Sequence, residues 1–255
     1  MRIDRVRRFT LMVMLLMAGP LRAQPARLFS DEEIAELLRG RLAHLEIENL
    51  HVDVLGRMVT LKGTADSLGK KKEGGAIALK APGISEVSNE IEVVDVGDDP
   101  GLERAVLAEL EKDPHYTVYD EVEASVNGGR LVLEGRVGSE DVRQAIADDL
   151  AKVRGVRDIE NRIRLLPYSL SDLKLQEAVV IDIADALLKA GRPGLPVHVV
   201  VENARVTLTG VVGDELTRRV AEETARRTEG VRSVDNRIEV APRRGSTVLS
   251  EEAEE

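Results

Sequence analysis

The 255-residue chain has no cysteine and no tryptophan, and it contains only two phenylalanines and three tyrosines. The absence of cysteine excludes disulfides, thiolate metal sites, cysteine nucleophiles and a lipidated N-terminal cysteine. So few aromatic side chains provide no stacking platform for single-stranded nucleic acid. The formal net charge of −10 also repels phosphate backbones and anionic lipid at long range. The composition therefore predicts a protein that does not bind nucleic acid.

The N-terminus has the organisation of a secretory signal peptide. Four arginines come first, at Arg2, Arg5, Arg7 and Arg8. An apolar run over 9–19 follows, which is shorter than the ~20 residues that a membrane-spanning helix needs. We predict a signal peptide over 1–23, cleavage after Ala23 and a periplasmic mature protein. Cleavage removes five Arg and one Asp, a net loss of four positive charges that takes the formal charge from −10 to −14.

A three-fold internal repeat covers most of the remaining chain. Segments that read LKG, LEG and LTG align one glycine in each copy, and a second glycine and an asparagine follow at constant spacings. The nine signature residues are Gly63, Gly83 and Asn89; Gly135, Gly155 and Asn161; and Gly210, Gly230 and Asn236. Constant register in three copies identifies one module that occurs three times.

Each copy contains two strands, a helix and a third strand after an opening helix. Apolar residues alternate before the first signature glycine, as in Val59 and Leu61, and again after the asparagine. Gly56, Gly128 and Asn203 lie between the first two strands, where a tight turn requires positive φ. The pattern predicts an α+β fold of three tandem αββαβ modules, with the helices covering one face of each sheet.

Helix-start signals give the module bounds. Ser30 and Glu33 form a capping-box pattern, Asp99-Pro100 opens the second module, and Ser171 opens the third. We define module 1 as 30–95, module 2 as 99–166 and module 3 as 170–241. The second helix of module 1 contains three glycines, which predict a shorter or bent helix. Residues 242–255 are predicted to form a disordered acidic tail.

The repeated motifs resemble the BON domain family. The motifs are LKG, PGI and SNEIEV; LEG, RGV and ENRIRL; and LTG, EGV and DNRIEV. The resemblance implies a small three-stranded mixed sheet with two helices on one face, which agrees with the element order. It also implies an exported bacterial protein of envelope maintenance or osmotic stress, because known BON proteins are often of this kind and some contact phospholipid. The resemblance transfers no catalytic residues.

The candidate chemistry of the sequence is sparse. His51 and His198 share one repeat position, but strand alternation places them on the outer sheet face, where exposure is the favoured interpretation over metal binding. His44 and His115 stand apart from any recognisable partner spacing. We therefore predict no catalytic residues, no cofactor and no metal, and a protein that is not an enzyme. The three signature asparagines are assigned to the backbone, through unusual φ and local hydrogen bonds.

Two basic clusters are the candidate contacts for anionic lipid or a partner protein. They comprise Lys70, Lys71, Lys72 and Lys80 in module 1, and Arg226, Arg227 and Arg232 in module 3. A solvated helix face is the competing interpretation of both.

The leading hypothesis is a non-catalytic periplasmic binding or scaffold protein that engages phospholipid surfaces or envelope proteins through several modules. The alternative is a periplasmic chaperone-like holdase. The sequence leaves the oligomeric state open.

Overall fold

The structure of the protein is a computed structural model, and it describes residues 29–241. The predicted signal peptide over 1–23 and the predicted acidic tail over 242–255 lie outside these residues. Within them the chain forms three successive α+β modules, each with its own hydrophobic core. The α+β fold class and the helix-strand order predicted from the sequence are confirmed.

Module 1 has two helices and a three-stranded sheet. Its elements are α1 (Asp31–Leu42), a 3-10 turn (Ala43–Leu45), β1 (Glu48–Leu55), β2 (Met58–Ala65), α2 (Leu68–Leu79) and β3 (Glu86–Val93). Strand β2 is central, antiparallel to β1 and parallel to β3, so the sheet is mixed. Leu38 and Leu42 of α1 pack with Leu61 of β2 and Ile91 of β3 in one fully buried cluster. Burial of these side chains fixes the helices on one face of the sheet.

Module 2 repeats this plan with a divided last strand. Its elements are α3 (Asp99–Leu110), β4 (Glu121–Asn127), β5 (Arg130–Val137), α4 (Glu140–Leu150), β6 (Asp158–Asn161) and β7 (Arg164–Leu165). Strand β5 is antiparallel to β4 and parallel to both β6 and β7. The interruption follows Asn161, where the Arg162 amide still donates to the Leu133 carbonyl at 2.7 Å. The two pieces therefore occupy the place of the single third strand that the sequence predicts.

Module 3 divides two of its strands. Its elements are α5 (Leu170–Lys189), β8 (His198–Glu202), β9 (Arg205–Thr209), β10 (Val211–Val212), α6 (Glu215–Arg227), β11 (Ser233–Asn236) and β12 (Glu239–Val240). Strand β9 lies between β8 and β11, and β10 pairs with β12. The breaks fall at Gly210 and after Asn236, which are signature positions. The module keeps the mixed sheet of the other two in two shorter pieces.

The helix starts follow the capping chemistry with small shifts. Ser30 and Glu33 form the predicted capping box, with Ser30 Oγ accepting from the Glu33 amide at 3.2 Å. Asp98 caps α3, one residue before the predicted start. The prediction that Ser171 opens the third module is wrong, because Ser169 accepts from the Asp172 amide and α5 begins at Leu170.

The predicted shortening of α2 is also wrong. The helix has 12 residues, against 11 in α4 and 13 in α6. Its glycines are accommodated by close packing: a Cβ on Gly75 would lie 2.8 Å from Asn89 Nδ2, and one on Gly74 would lie 3.4 Å from Ile91 Cδ1. Glycine has a low helix propensity, but at these positions it lets α2 approach the sheet more closely than a larger residue allows, and this packing offsets the cost.

The first signature glycine of each module lies where two strands cross closely. Gly63, Gly135 and Gly210 have φ of 148°, 132° and 124°. A Cβ on Gly63 would lie 2.8 Å from the Glu48 carbonyl oxygen, and one on Gly210 would lie 2.7 Å from the Pro196 carbonyl oxygen. Both contacts are with backbone, which has no rotamer to change. The second signature glycines, Gly83, Gly155 and Gly230, also have positive φ where the chain reverses after a helix.

The signature asparagines join the second helix of each module to its last strand. Asn89 Nδ2 donates to the Lys71 carbonyl of α2 at 2.7 Å, and its Oδ1 accepts from the Ile91 amide at 3.3 Å. Asn161 makes the same pair of contacts, and Asn236 reaches the Glu222 side chain instead of a helix carbonyl. None of the three has positive φ. The side-chain amide, and not an unusual backbone conformation, explains why asparagine occurs at this position.

Replacing one of these asparagines is expected to destabilise its module. Asn89→Ala removes two hydrogen bonds in a half-buried site and is predicted to lower the free energy of unfolding by about 1–2 kcal/mol. The measurement is urea denaturation of the purified chain. Asn127→Ala, at an exposed position in β4, is the matched control and is expected to change stability by less than about 0.5 kcal/mol. Equal losses in the two variants would contradict this role.

Candidate functional site

The lysines predicted on module 1 do not form a single free cluster. Lys70 lies 2.9 Å from Asp66 Oδ2 and 3.7 Å from Glu46 Oε2, so its charge is used inside the module. The hydrogen bond to Asp66 raises the pKa of Lys70. Burial raises the pKa of Asp66, but hydrogen bonds from Lys70 and Ser67 outweigh it and the net shift is downward. Lys70 is therefore a structural cation.

The three other lysines of the predicted cluster lie on α2 or at its C-terminal end, and their side chains face solvent or a cleft. Lys72 and Lys80 are exposed, and Lys71 is half-buried beside a cleft of about 580 Å³ that it shares with Arg130 and Arg157 of module 2. The same cleft is lined by carboxylates, at Glu90, Glu92 and Asp158. Across 29–241, the side chains of Lys71, Lys72 and Lys80 form no ion pair with another residue. Lys72 and Lys80 therefore present their charge to solvent, whereas Lys71 faces the cleft.

The predicted arginine cluster of module 3 is divided by the structure. Arg226 forms an ion pair with Glu222 at 2.7 Å, and Arg227 lies 3.6 Å from Glu223, both one helical turn away on α6. These pairs are typical of a solvated helix face. The hydrogen bonds that Glu222 accepts from Asn236 and Arg226 lower the pKa of Glu222.

Arg232 lies instead in a polar cleft at the junction of modules 2 and 3. The cleft has a volume of about 670 Å³, and Arg136, Arg205 and Arg237 line it together with Arg232. Glu202 and Asp235 also line it, so the surface has mixed charge. Arg136 was not evident from the sequence, because it is the one lining residue that comes from module 2.

The four histidines have separate environments. His51 is exposed, as the strand alternation predicts, and its Nδ1 lies 2.8 Å from the Asn49 carbonyl. His198 stacks on Tyr116 of module 2 with ring centroids 4.5 Å apart, which makes it an inter-module contact. His44 lies 3.5 Å from Glu73. His115 is not isolated: the fold brings it beside Asp113 and Asp149.

Modules 1 and 2 dock through backbone hydrogen bonds. The amides of Leu68 and Gly69, at the start of α2, donate to the carbonyls of Val156 and Ala151 at 2.9 and 2.7 Å. In return, the Gly155 amide donates to the Asp66 carbonyl at 2.8 Å. The Leu68 side chain packs in the core of module 2. The amides at the N-terminus of α2, which have no partner within their own helix, are thus satisfied by carbonyls of the turn that follows α4 in module 2.

Modules 2 and 3 dock edge to edge. The Val199 amide of β8 donates to the Val118 carbonyl at 2.7 Å, in the segment that precedes β4. Gln176 of α5 is buried and donates to the carbonyls of Tyr119 and Val199 at 3.1 and 2.6 Å. Arg136 of β5 contacts Glu121, and its Nη2 donates to Thr207 Oγ1 at 2.9 Å. Polar atoms are matched across this joint.

An apolar groove follows the same joint. It has a volume of about 440 Å³ and includes Tyr119, Leu166, Tyr168 and Leu173. The side chains at its rim are exposed, with Tyr168 82% and Leu173 49% accessible. Asp120, Asp172 and Glu177 border it. The groove was not evident from the sequence.

The fold and these surfaces define a class of protein: a tandem array of small α+β modules in direct contact. The family model for the BON domain matches the chain at 30–95, 98–167 and 178–242. The chain therefore belongs to the BON domain family and carries three tandem copies, as the resemblance predicted. The BON domain is a non-catalytic domain known from proteins of the envelope and of osmotic stress.

Comparison with solved structures gives distant matches. One is the C-terminal domain of CdsD, a structural protein of the type III secretion system of Chlamydia trachomatis, at 18% identity over 84% of this chain and 100% of that one, with a TM-score of 0.25. A second structure of CdsD matches at 18% identity over 80% and 90%, again with a TM-score of 0.25. No match was found among curated proteins. Within 29–241, no helix has the length and apolarity to cross a membrane.

Proposed function

We propose that this chain is a non-catalytic, exported binding protein that acts in the periplasm on anionic phospholipid surfaces during envelope or osmotic stress. The observation that carries the proposal is that Lys71, Lys72 and Lys80 of module 1 form no ion pair within 29–241, in contrast to the paired Lys70, Arg226 and Arg227. Membership of the BON family and the predicted signal peptide support the same role.

The acidic net charge does not oppose a local contact of this kind. At physiological salt the Debye length is about 8 Å, so Lys71, Lys72 and Lys80 respond to a headgroup more strongly than distant carboxylates do. Each cation near an anionic surface contributes about 1 kcal/mol. Three cations would contribute about 3 kcal/mol, which is a weak contact by itself and is useful when several modules bind together.

Co-sedimentation with vesicles tests the lipid proposal. A chain that begins at Gln24 keeps every residue of the three modules and is mixed with vesicles of zwitterionic or anionic composition over a salt series. We expect binding only to anionic vesicles, falling as salt rises. Joint replacement of Lys71, Lys72 and Lys80 by Gln is expected to weaken binding by about 100-fold, since about 3 kcal/mol is lost.

Arg226→Gln with Arg227→Gln is the matched control. These arginines are ion-paired on α6, so their loss is expected to leave vesicle binding within about threefold of the parent, in line with the small energies of exposed pairs. An equal loss of vesicle binding in the lysine and arginine variants would contradict the lysine site. Equal binding to zwitterionic and anionic vesicles would contradict it as well.

The apolar groove favours a second candidate function, a periplasmic holdase. Tyr168 and Leu173 are exposed apolar side chains at the joint of modules 2 and 3, and such surfaces take up unfolded chains. This candidate predicts that the chain suppresses aggregation of a denatured client without lipid, and that Leu173→Ser reduces the suppression. Full suppression by Leu173→Ser would count against it.

A further inference from the structure

Two aspartates and one histidine, all side chains that can bind a metal ion, meet in module 2. Asp113 follows the end of α3, His115 lies two residues later, and Asp149 is in the last turn of α4. One ligand atom from each lies within 4.8 Å of the other two. We propose that Asp113, His115 and Asp149 bind one Zn²⁺ ion. The proposal is independent of the lipid contact.

The separations of the ligand atoms suit a small tetrahedral ion. His115 Nδ1 lies 3.0 Å from Asp113 Oδ1 and 3.6 Å from Asp149 Oδ2. Zinc holds nitrogen and oxygen ligands at about 2.0–2.1 Å, which in a tetrahedron separates the ligand atoms by about 3.3 Å. The two measured separations lie on either side of this value. The third separation, between the Asp113 and Asp149 oxygens, is within 4.8 Å, so side-chain rotation is needed to bring all three ligands to bonding distance.

The buried carboxylate of Asp113 provides an independent reason for a cation. Its side chain has 0% exposure, and its Oδ2 atom is buried without a hydrogen-bond donor among the residues of 29–241. Its other oxygen accepts from the His115 amide at 2.8 Å and faces the imidazole. Burying a carboxylate with one unsatisfied oxygen is costly, and a metal ion offsets that cost if Asp113 coordinates it through Oδ2 as well as through the Oδ1 atom beside His115.

The backbone also favours a positive charge at this place. Helices α3 and α4 end at Leu110 and Leu150, so the negative ends of two helix dipoles are near the three side chains. Lys152 competes with a metal ion for Asp149, because its Nζ lies 2.6 Å from Asp149 Oδ1. The other oxygen of Asp149, Oδ2, faces His115. Lys112 and Glu109 line the adjacent cavity of about 640 Å³.

Zinc is the ion that this ligand set fits. Imidazole nitrogen suits zinc, which also accepts carboxylate oxygen, whereas Ca²⁺ and Mg²⁺ take oxygen ligands alone. His115 is about half exposed, with 49% of its side chain accessible, so water can reach the fourth ligand position. A bound ion would link the ends of α3 and α4 next to the joint where Gly69 meets Ala151.

Competition with a chromophoric chelator tests the site on the purified full chain. We expect one equivalent of Zn²⁺ to bind and the midpoint of thermal unfolding to rise with it. His115→Ala and Asp149→Asn should each weaken Zn²⁺ binding by at least about tenfold. His44→Ala is the matched control, because His44 lies near a single carboxylate, and it should leave the affinity unchanged.

Lys152→Met separates metal binding from a merely structural role. The variant keeps the aliphatic stem but removes the cation that competes for Asp149, so it should tighten Zn²⁺ binding several-fold. Co²⁺ in place of Zn²⁺ should give visible absorption of tetrahedral intensity that Asp149→Asn abolishes. Absence of Zn²⁺ binding at molar excess, or equal affinity in the parent and His115→Ala, would overturn the proposal.

Discussion

Gly135→Ala is expected to lower the free energy of unfolding of module 2 by about 3 kcal/mol or more. At φ 132° the glycine lies where β5 crosses the start of β4, and a Cβ there would be 2.8 Å from the carbonyl carbon of Glu121 and closer still to its oxygen. The clash is with backbone, so the two strands must separate, and this adds to the strain of the backbone conformation.

Tyrosine fluorescence during urea denaturation measures this loss. The chain has no tryptophan, and its three tyrosines, Tyr116, Tyr119 and Tyr168, all lie in module 2 or at its end. Gly138→Ala is the control, because no atom lies within 4 Å of a Cβ there and its φ is not positive. It should change stability by less than about 0.5 kcal/mol. Similar losses for the two variants would show that the strand crossing tolerates a side chain.

Arg136→Ala is expected to cost about 3 kcal/mol and to weaken the contact between modules 2 and 3. Arg136 Nε donates to Glu121 Oε2 at 2.7 Å, and the Glu121 side chain is only 5% exposed. Without Arg136, the nearest cation that Glu121 keeps is Arg237 at 3.4 Å. A buried carboxylate that loses its main partner is strongly destabilising.

Two variants make the test specific to the buried pair. Arg143→Ala removes a partly exposed arginine that pairs with Glu140 at 2.7 Å, and it should cost less than about 0.5 kcal/mol. Arg136→Met combined with Glu121→Gln removes both charges and should recover most of the stability lost in Arg136→Ala. If the double variant is as unstable as Arg136→Ala, the loss comes from packing and not from an unpaired charge.

The architecture of each module could be predicted from the sequence, because the turn residues, helix caps and strand alternation that determine it are local and recur in the copies. Positive φ at Gly56, Gly128 and Asn203 followed from residue type alone, and the structure confirms it. The Ser30 cap and the strand alternation were local in the same way. The length of α2 was mispredicted because Gly74 and Gly75 pack against β3, a tertiary contact that a propensity scale does not include.

The joints and the metal-ligating cluster were not accessible for a different reason. Glu121 and Arg136 occupy repeat positions held by Asn49 and Thr64 in module 1, so the repeat pattern gives no indication of the pair. Asp113 follows the end of α3 and Asp149 belongs to α4, so the two meet only when α3 and α4 pack together. Contacts between elements depend on how the modules dock, which a pattern within one module does not determine.

The most direct test of the account is hydrogen exchange at the amides that join the modules. The three BON modules form a docked array, in which the amides of Leu68, Gly69, Gly155 and Val199 donate hydrogen bonds across the two joints. We predict that these amides exchange as slowly as amides within the strands of modules 2 and 3. Exchange at the rate of exposed loops would contradict the array and leave three modules that move independently.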